Sequence, residues 1–113
     1  MPYVHMSIAK KLSDEQKEAI KSSVGQLIEI LPGKAEKVLM IRLDDDLQMY
    51  FRGIPENCAY VNLCLYMMSS DEKKGEFGRA FVTSLSTIAG IDITNIFLSF
   101  SEYGNWFSGG VFK

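Results

Sequence analysis

Apolar and polar residues alternate along two stretches of the chain. Val4, Met6 and Ile8 interleave with Tyr3, His5 and Ser7, and Val61, Leu63, Leu65 and Met67 interleave with Tyr60, Asn62, Cys64 and Tyr66. A period of two predicts strands with one face turned to a core. After each strand the period lengthens. Ile20, Val24, Ile28 and Leu31 share one face of a helix, as do Phe77, Phe81, Leu85 and Ile88. Ser13 and Ser70 supply N-caps followed by acidic first turns, and the helices are expected to close near Gly33 and Gly90. Lys37–Asp44 and Asn95–Glu102 read as a second strand in each half.

The two halves superpose without a gap at an offset of 57 positions: Tyr3-Val4 meets Tyr60-Val61, Ser13-Asp14-Glu15 meets Ser70-Asp71-Glu72, and Gly33 meets Gly90. Each half is a β-α-β unit with parallel strands and a right-handed crossover. Two such units predict an α+β fold, a four-stranded sheet with both helices on one face in the ferredoxin-like manner. The chain reads as one domain, 1–113, with repeat units at about 2–44 and 59–101 and a C-terminal tail at 102–113. Leu47–Phe51 and Asn105–Lys113 are short β-prone pieces suited to pairing across a subunit boundary.

The second face of the sheet would carry Tyr3, His5, Ser7, Tyr60, Asn62, Cys64 and Tyr66. Leu39, Ile41, Leu98 and Phe100, with their alternates, are expected to keep the outer strands apolar on both faces. Strands buried on both sides need a partner layer, which points to a homo-oligomer. The alternative is a monomer with a solvated, Tyr-rich sheet face.

Composition narrows the function. Of 113 residues, 47% are apolar, which excludes a disordered chain. Twelve basic against 14 acidic side chains leave no basic excess for nucleic acid. No apolar run approaches the roughly 20 residues of a membrane span, and the start of the sequence lacks a charged region followed by an apolar core. A cytoplasmic protein is expected, compatible with leaderless secretion. Cys58 and Cys64 lie too far apart along one strand for a disulfide, so both are expected as free thiols. A single histidine, His5, gives no metal-ligand cluster, and neither metal nor cofactor is expected. Asp44-Asp45-Asp46 reads as a solvated turn, and His5 as a hydrogen-bonded structural residue.

Pro2 is the chemically distinctive position. Once Met1 is removed, Pro2 becomes a secondary amine, and a chain-terminal amine titrates at roughly 7.7 to 8.0 before burial lowers it further. Such an amine is a proton acceptor near neutrality. A Met1–Pro2 amide has no such basicity, so the chemistry depends on that cleavage.

The doubled β-α-β unit, Met1-Pro2, Gly33-Lys34, Asp46–Gly53, Glu56-Asn-Cys58-Ala59 and the closing Trp106…Phe112 together resemble the macrophage migration inhibitory factor family of the tautomerase superfamily. The resemblance runs essentially the whole length. It implies a homotrimer whose sheets form a central barrel, with three sites at subunit boundaries. It implies cofactor-independent keto-enol tautomerisation of phenylpyruvate-like 2-oxo acids, with Pro2 as general acid and base. Lys34 would hold the substrate's carboxylate or carbonyl, and the backbone N–H of Tyr66 would face the substrate. Tyr3, Trp106, Phe112 and Phe97 of a neighbouring subunit would wall an apolar pocket. The family also has cytokine-like members, so a non-enzymatic protein that binds a receptor is the alternative, and a regulatory trimer that binds a metabolite without turnover is a third reading. The chain departs from the family's pattern in several places. Phe97 and Ser99 replace a tyrosine and an asparagine of the vertebrate members. Arg52 replaces a glycine, Val61 breaks the Cys-x-x-Cys motif, and Met67-Met68-Ser69-Ser70-Asp71 stands where the loop is usually rich in glycine.

Overall fold

A computed structural model describes residues 2–113. Its strands are β1 (Tyr3–Ile8), β2 (Met40–Asp44), β3 (Tyr50–Phe51), β4 (Ile54–Pro55), β5 (Ala59–Tyr66), β6 (Ile96–Tyr103), β7 (Phe107–Ser108) and β8 (Val111–Phe112). Its helices are α1 (Asp14–Leu27) and α2 (Asp71–Ala89). The main sheet has the order β2-β1-β5-β6, and β3-β4 and β7-β8 are separate two-stranded hairpins. Within each unit the strands run parallel, β1 with β2 and β5 with β6, and the units join through the antiparallel pair β1 and β5. This is the doubled β-α-β arrangement that the repeat predicts.

The core lies between one sheet face and the two helices. Val4, Met6, Ile8, Val61, Leu63 and Leu65 meet Ile20, Val24, Ile28, Phe77, Phe81 and Leu85, all fully buried. Phe77 stacks on Phe81 at 5.8 Å between ring centroids. Ser13 and Gln16 form a reciprocal capping box, each side chain bonding the other's backbone N–H, and Ser70 caps α2 through the Lys73 N–H.

The two units are less alike than their sequences suggest. Gly90 ends α2 in the left-handed conformation at φ 68°, as expected of a C-terminal glycine. Gly33 does not end α1. The α-helix stops at Leu27, tightens into a 3-10 turn over Ile28–Ile30, and Leu31 is extended at φ −80°, ψ 123°. Pro32 is the cause, because the residue before a proline is driven out of the helical region. The second strands also start later than expected. Glu36–Val38 coils into a 3-10 turn ahead of β2, and Ile93–Asn95, opened by the Asp92 side chain, does the same ahead of β6. Met67 does not extend β5: at φ 68° it turns the chain away from the sheet.

The open face of the sheet corrects the expectation of outer strands apolar on both sides. There β2 presents Met40, Arg42 and Asp44, and β6 presents Phe97, Ser99, Ser101 and Tyr103. His5 Nε2 lies 2.9 Å from Asp44 Oδ2, which also accepts from Arg42 Nε at 3.0 Å. Ser99 and Ser101 both donate to Asn62 Oδ1, at 2.8 and 3.2 Å. This face is mixed: hydrogen-bonded polar side chains sit among the exposed Met40, Tyr60, Phe97 and Tyr103.

Candidate functional site

One end of the sheet gathers most of the predicted residues. Pro2 is buried at the entrance to β1, and its carbonyl accepts from the Met40 N–H at 3.0 Å, ahead of the first β1–β2 pair, Tyr3 with Met40. Lys34 comes from the turn after α1, where its N–H bonds the Leu31 carbonyl at 3.1 Å and Gly33 takes φ 75°. That left-handed residue suits glycine and brings the chain back toward the sheet. The Lys34 ammonium donates to the Tyr66 carbonyl at 3.2 Å, at the last residue of β5. An ammonium has three donors, so this bond fixes the cation without exhausting it.

Aromatic rings continue the same end. Trp106 lies 6.4 Å from Tyr66 and 5.9 Å from Tyr103 between ring centroids. Tyr3 stands next to Pro2 on the open face, opposite Cys64 and stacked on His5 at 6.3 Å. Phe97 and Phe112 do not join the cluster within one chain. Phe97 is the second residue of β6, at the opposite end of the sheet, 47% exposed, with Phe51 edge-on at 5.2 Å. Phe112 packs on Phe107 at 5.3 Å in the exposed β7-β8 hairpin.

Sequence patterning passed over an ion pair at this end. Glu102 occupies the core-facing phase of β6, opposite Leu65, and its side chain is only 12% exposed. Its carboxylate accepts from the Lys74 ammonium at 2.7 Å and from the Ser69 N–H at 2.7 Å. The Lys74 hydrogen bond, with the Ser69 N–H second, holds the Glu102 carboxyl below its usual range, and the same bond raises Lys74. The segment after β5 is thus clipped twice, since the Met67 N–H bonds the Tyr103 carbonyl at 2.8 Å. A carboxylate in the inward phase of an otherwise apolar strand was the available signal, because a buried charge demands a partner. Met67, Met68, Glu102, Tyr103 and Gly104 line a cavity of about 380 Å³ beside this clip. A larger hollow of about 580 Å³ lies between α1 and β2 and is lined by none of the predicted site residues.

The cysteines and the acidic run have structural roles. Cys58 and Cys64 are free thiols, and burial first, with Glu56 second, pushes the Cys58 thiol up, which keeps it protonated and unreactive. Asp45 accepts from the Leu12 N–H at 2.8 Å and pairs with Lys17, Asp44 pairs with His5, and Asp46 turns the chain at φ 56°. Among the described residues, no three His, Cys, Asp or Glu side chains converge as metal ligands would.

Comparison with solved structures places this geometry. MIF2 of Leishmania major superposes with a TM-score of 0.90 over all of this chain and 97% of its own, at 18% identity. The chain has the fold of the macrophage migration inhibitory factor-like tautomerase proteins. Pt0534, solved after inactivation by 2-oxo-3-pentynoate, shares that fold with a TM-score of 0.86 at 14% identity, over 97% of this chain and 95% of its own. A fused 4-OT solved as a symmetric trimer matches with a TM-score of 0.80 at 15% identity, over 89% of this chain and 85% of its own. No protein-family model and no curated protein sequence matches the chain.

Proposed function

We propose that the protein is a cofactor-independent keto-enol tautomerase of phenylpyruvate-like 2-oxo acids, working as a homotrimer with Pro2 as the proton-transfer group. The observation that carries this reading is the Lys34 ammonium on the Tyr66 carbonyl at the sheet end where Pro2 leads into β1. A fixed cation beside a candidate base suits an anionic substrate whose proton must move. The inactivation of Pt0534 by a 2-oxo alkynoate, on the same fold, supports that substrate class.

In the ketonising direction the Pro2 amine takes the enol O–H proton, the carbonyl re-forms, and the protonated amine returns a proton to the adjacent carbon. One O–H bond is broken and one C–H bond made, with no change in oxidation state. Lys34 holds the carboxylate and offsets charge that gathers on oxygen in between. This requires Pro2 to be the terminal residue; Met1 lies outside the described residues. The family resemblance implies that Phe97 reaches the site from a neighbouring subunit, and a trimer, the assembly in which the fused 4-OT was solved, would account for its distance from Pro2 within one chain.

With a verified N-terminal Pro2, the protein is expected to ketonise enol phenylpyruvate. Pro2→Gly should lower kcat by about 100-fold or more, in line with the loss of a positioned acid-base group. Lys34→Ala should raise KM by about tenfold, as for a lost charge-assisted bond. Unchanged kinetics in both variants would contradict the reading. The second reading, a non-enzymatic interaction protein, is favoured by the fold neighbours named for macrophage migration inhibitory factor and by the exposed apolar β7-β8 hairpin. It gains if Pro2→Gly leaves a partner-dependent response intact.

A further inference from the structure

Met67 takes the left-handed conformation at φ 68° immediately after β5, a backbone that strains any residue with a Cβ and persists only where its surroundings hold it. Two bonds hold it here. The Met67 N–H reaches the Tyr103 carbonyl at 2.8 Å, and the Ser69 N–H reaches Glu102 Oε2 at 2.7 Å, while Oε1 of the same carboxylate takes the Lys74 ammonium at 2.7 Å. A buried ion pair is seldom a better stabiliser than apolar residues of the same size, so a carboxylate in phase with Ile96, Leu98 and Phe100 calls for a role besides stability. The strained residue shares a peptide group with the candidate site. The Met67 N–H and the Tyr66 carbonyl are the two sides of one planar trans peptide, and that carbonyl accepts the Lys34 ammonium at 3.2 Å. Relief of the strain at Met67 requires φ to change sign, which turns this peptide over and takes the carbonyl away from Lys34.

We propose that Glu102 is a positioning residue of the 2-oxo acid site: by clamping the turn at Met67 it fixes the Tyr66–Met67 peptide, and through that peptide the place of the Lys34 ammonium. The inference rests on the proposed role of Lys34 as the anion-binding group. Glu102 itself touches no substrate. Without its clamp, Met67 leaves the left-handed region in most molecules, and only the remaining fraction presents Lys34 correctly. Apparent affinity falls by that fraction. Turnover at saturation does not, because bound substrate draws the turn back and Pro2, at the head of β1, is untouched.

Glu102→Ala is therefore expected to raise KM for enol phenylpyruvate about tenfold, with kcat within about twofold of the parent. Glycine adopts φ 68° without strain, so Glu102→Ala combined with Met67→Gly should regain most of that loss. A merely structural ion pair would show no such rescue, since the added glycine only loosens a damaged loop. Hydrogen exchange at the residue 67 amide reads the peptide without any turnover. It should quicken at least about tenfold in Glu102→Ala while amides within β1 and β5 keep their protection. If Glu102→Ala does not fold, Glu102→Gln is read in the same way, because its amide keeps the volume and offers an acceptor to only one of the two donors. An unchanged KM overturns the inference, as does a raised KM that Met67→Gly fails to restore or unchanged exchange at residue 67. Faster exchange there in a protein that does not ketonise enol phenylpyruvate removes the tautomerase reading and leaves the hold of Glu102 on this peptide. Ketonisation with KM and exchange both unchanged does the reverse.

Discussion

Glu102 shows how one inward-facing charge organises the candidate site. Its carboxylate ties the first turn of α2 to the end of β6 through Lys74 and fixes the loop after β5 through the Ser69 N–H. Folding lowers the carboxyl below its ordinary value of 4.5, so the pair contributes stability above that pH and loses it as pH falls through the lowered value. Lys74 is raised above 10.5, and its contribution is lost only as strongly alkaline pH passes the raised value. Glu102→Gln is accordingly expected to flatten the acid limb of a melting-temperature profile against pH while costing stability at pH 7. An acid limb of the same slope in the variant would show that the pair does not govern it. The sequence showed Glu102 in phase with Leu98 and Phe100 but not which face that phase took, and it did not show Ser69 or Lys74 as its partners. Their meeting depends on the turn at Met67, whose left-handed backbone no sequence rule assigns to methionine.

At the scale of elements, strands and helices followed from periodicity and their ends did not. The 2.0 and 3.6 periods report which face a residue presents, and every fully buried position in β1 and β5 falls on the predicted phase. Ends are set by local competition instead. Pro32 overrules Gly33 in closing α1, and short 3-10 turns delay β2 and β6. Where glycine does close a helix, the requirement is testable. Gly90→Ala would place a Cβ 2.8 Å from Lys10 Nζ at φ 68°, and is expected to cost about 1–2 kcal/mol from the left-handed backbone alone. Phe77→Ala, in the layer shared by both helices and the sheet, should cost about 3–5 kcal/mol. Both are measured by urea unfolding at fixed protein concentration, because assembly would couple to stability. A cost for Phe77→Ala near that of a surface change would contradict the packing described.

At the scale of the molecule, the repeat made the architecture legible but not the character of the open face. The alternation in β2 and β6 left the facing of Leu39, Ile41, Leu98 and Phe100 undecided, and only pairing with β1 and β5 turns them all to the core. The other face then carries Arg42, Asp44, Ser99 and Ser101 beside the exposed Met40 and Phe97. A trimer would enclose this layer and place residues from different chains around each Pro2, which one chain's sequence cannot display. Sedimentation is expected to give three times the 12.7 kDa chain mass. A monomer at working concentration would leave Phe97 far from any Pro2 and would remove the pocket as proposed. Among the described residues, no helix is long and apolar enough to cross a membrane.

The proposed activity depends on a free secondary amine at Pro2. The most direct measurement is the ketonisation rate of enol phenylpyruvate on two preparations verified by intact mass, one beginning at Pro2 and one carrying an uncleaved residue ahead of it. Turnover is expected in the first and a loss of at least about 100-fold in the second, because an amide nitrogen cannot accept the proton. Equal rates in the two preparations would contradict that dependence.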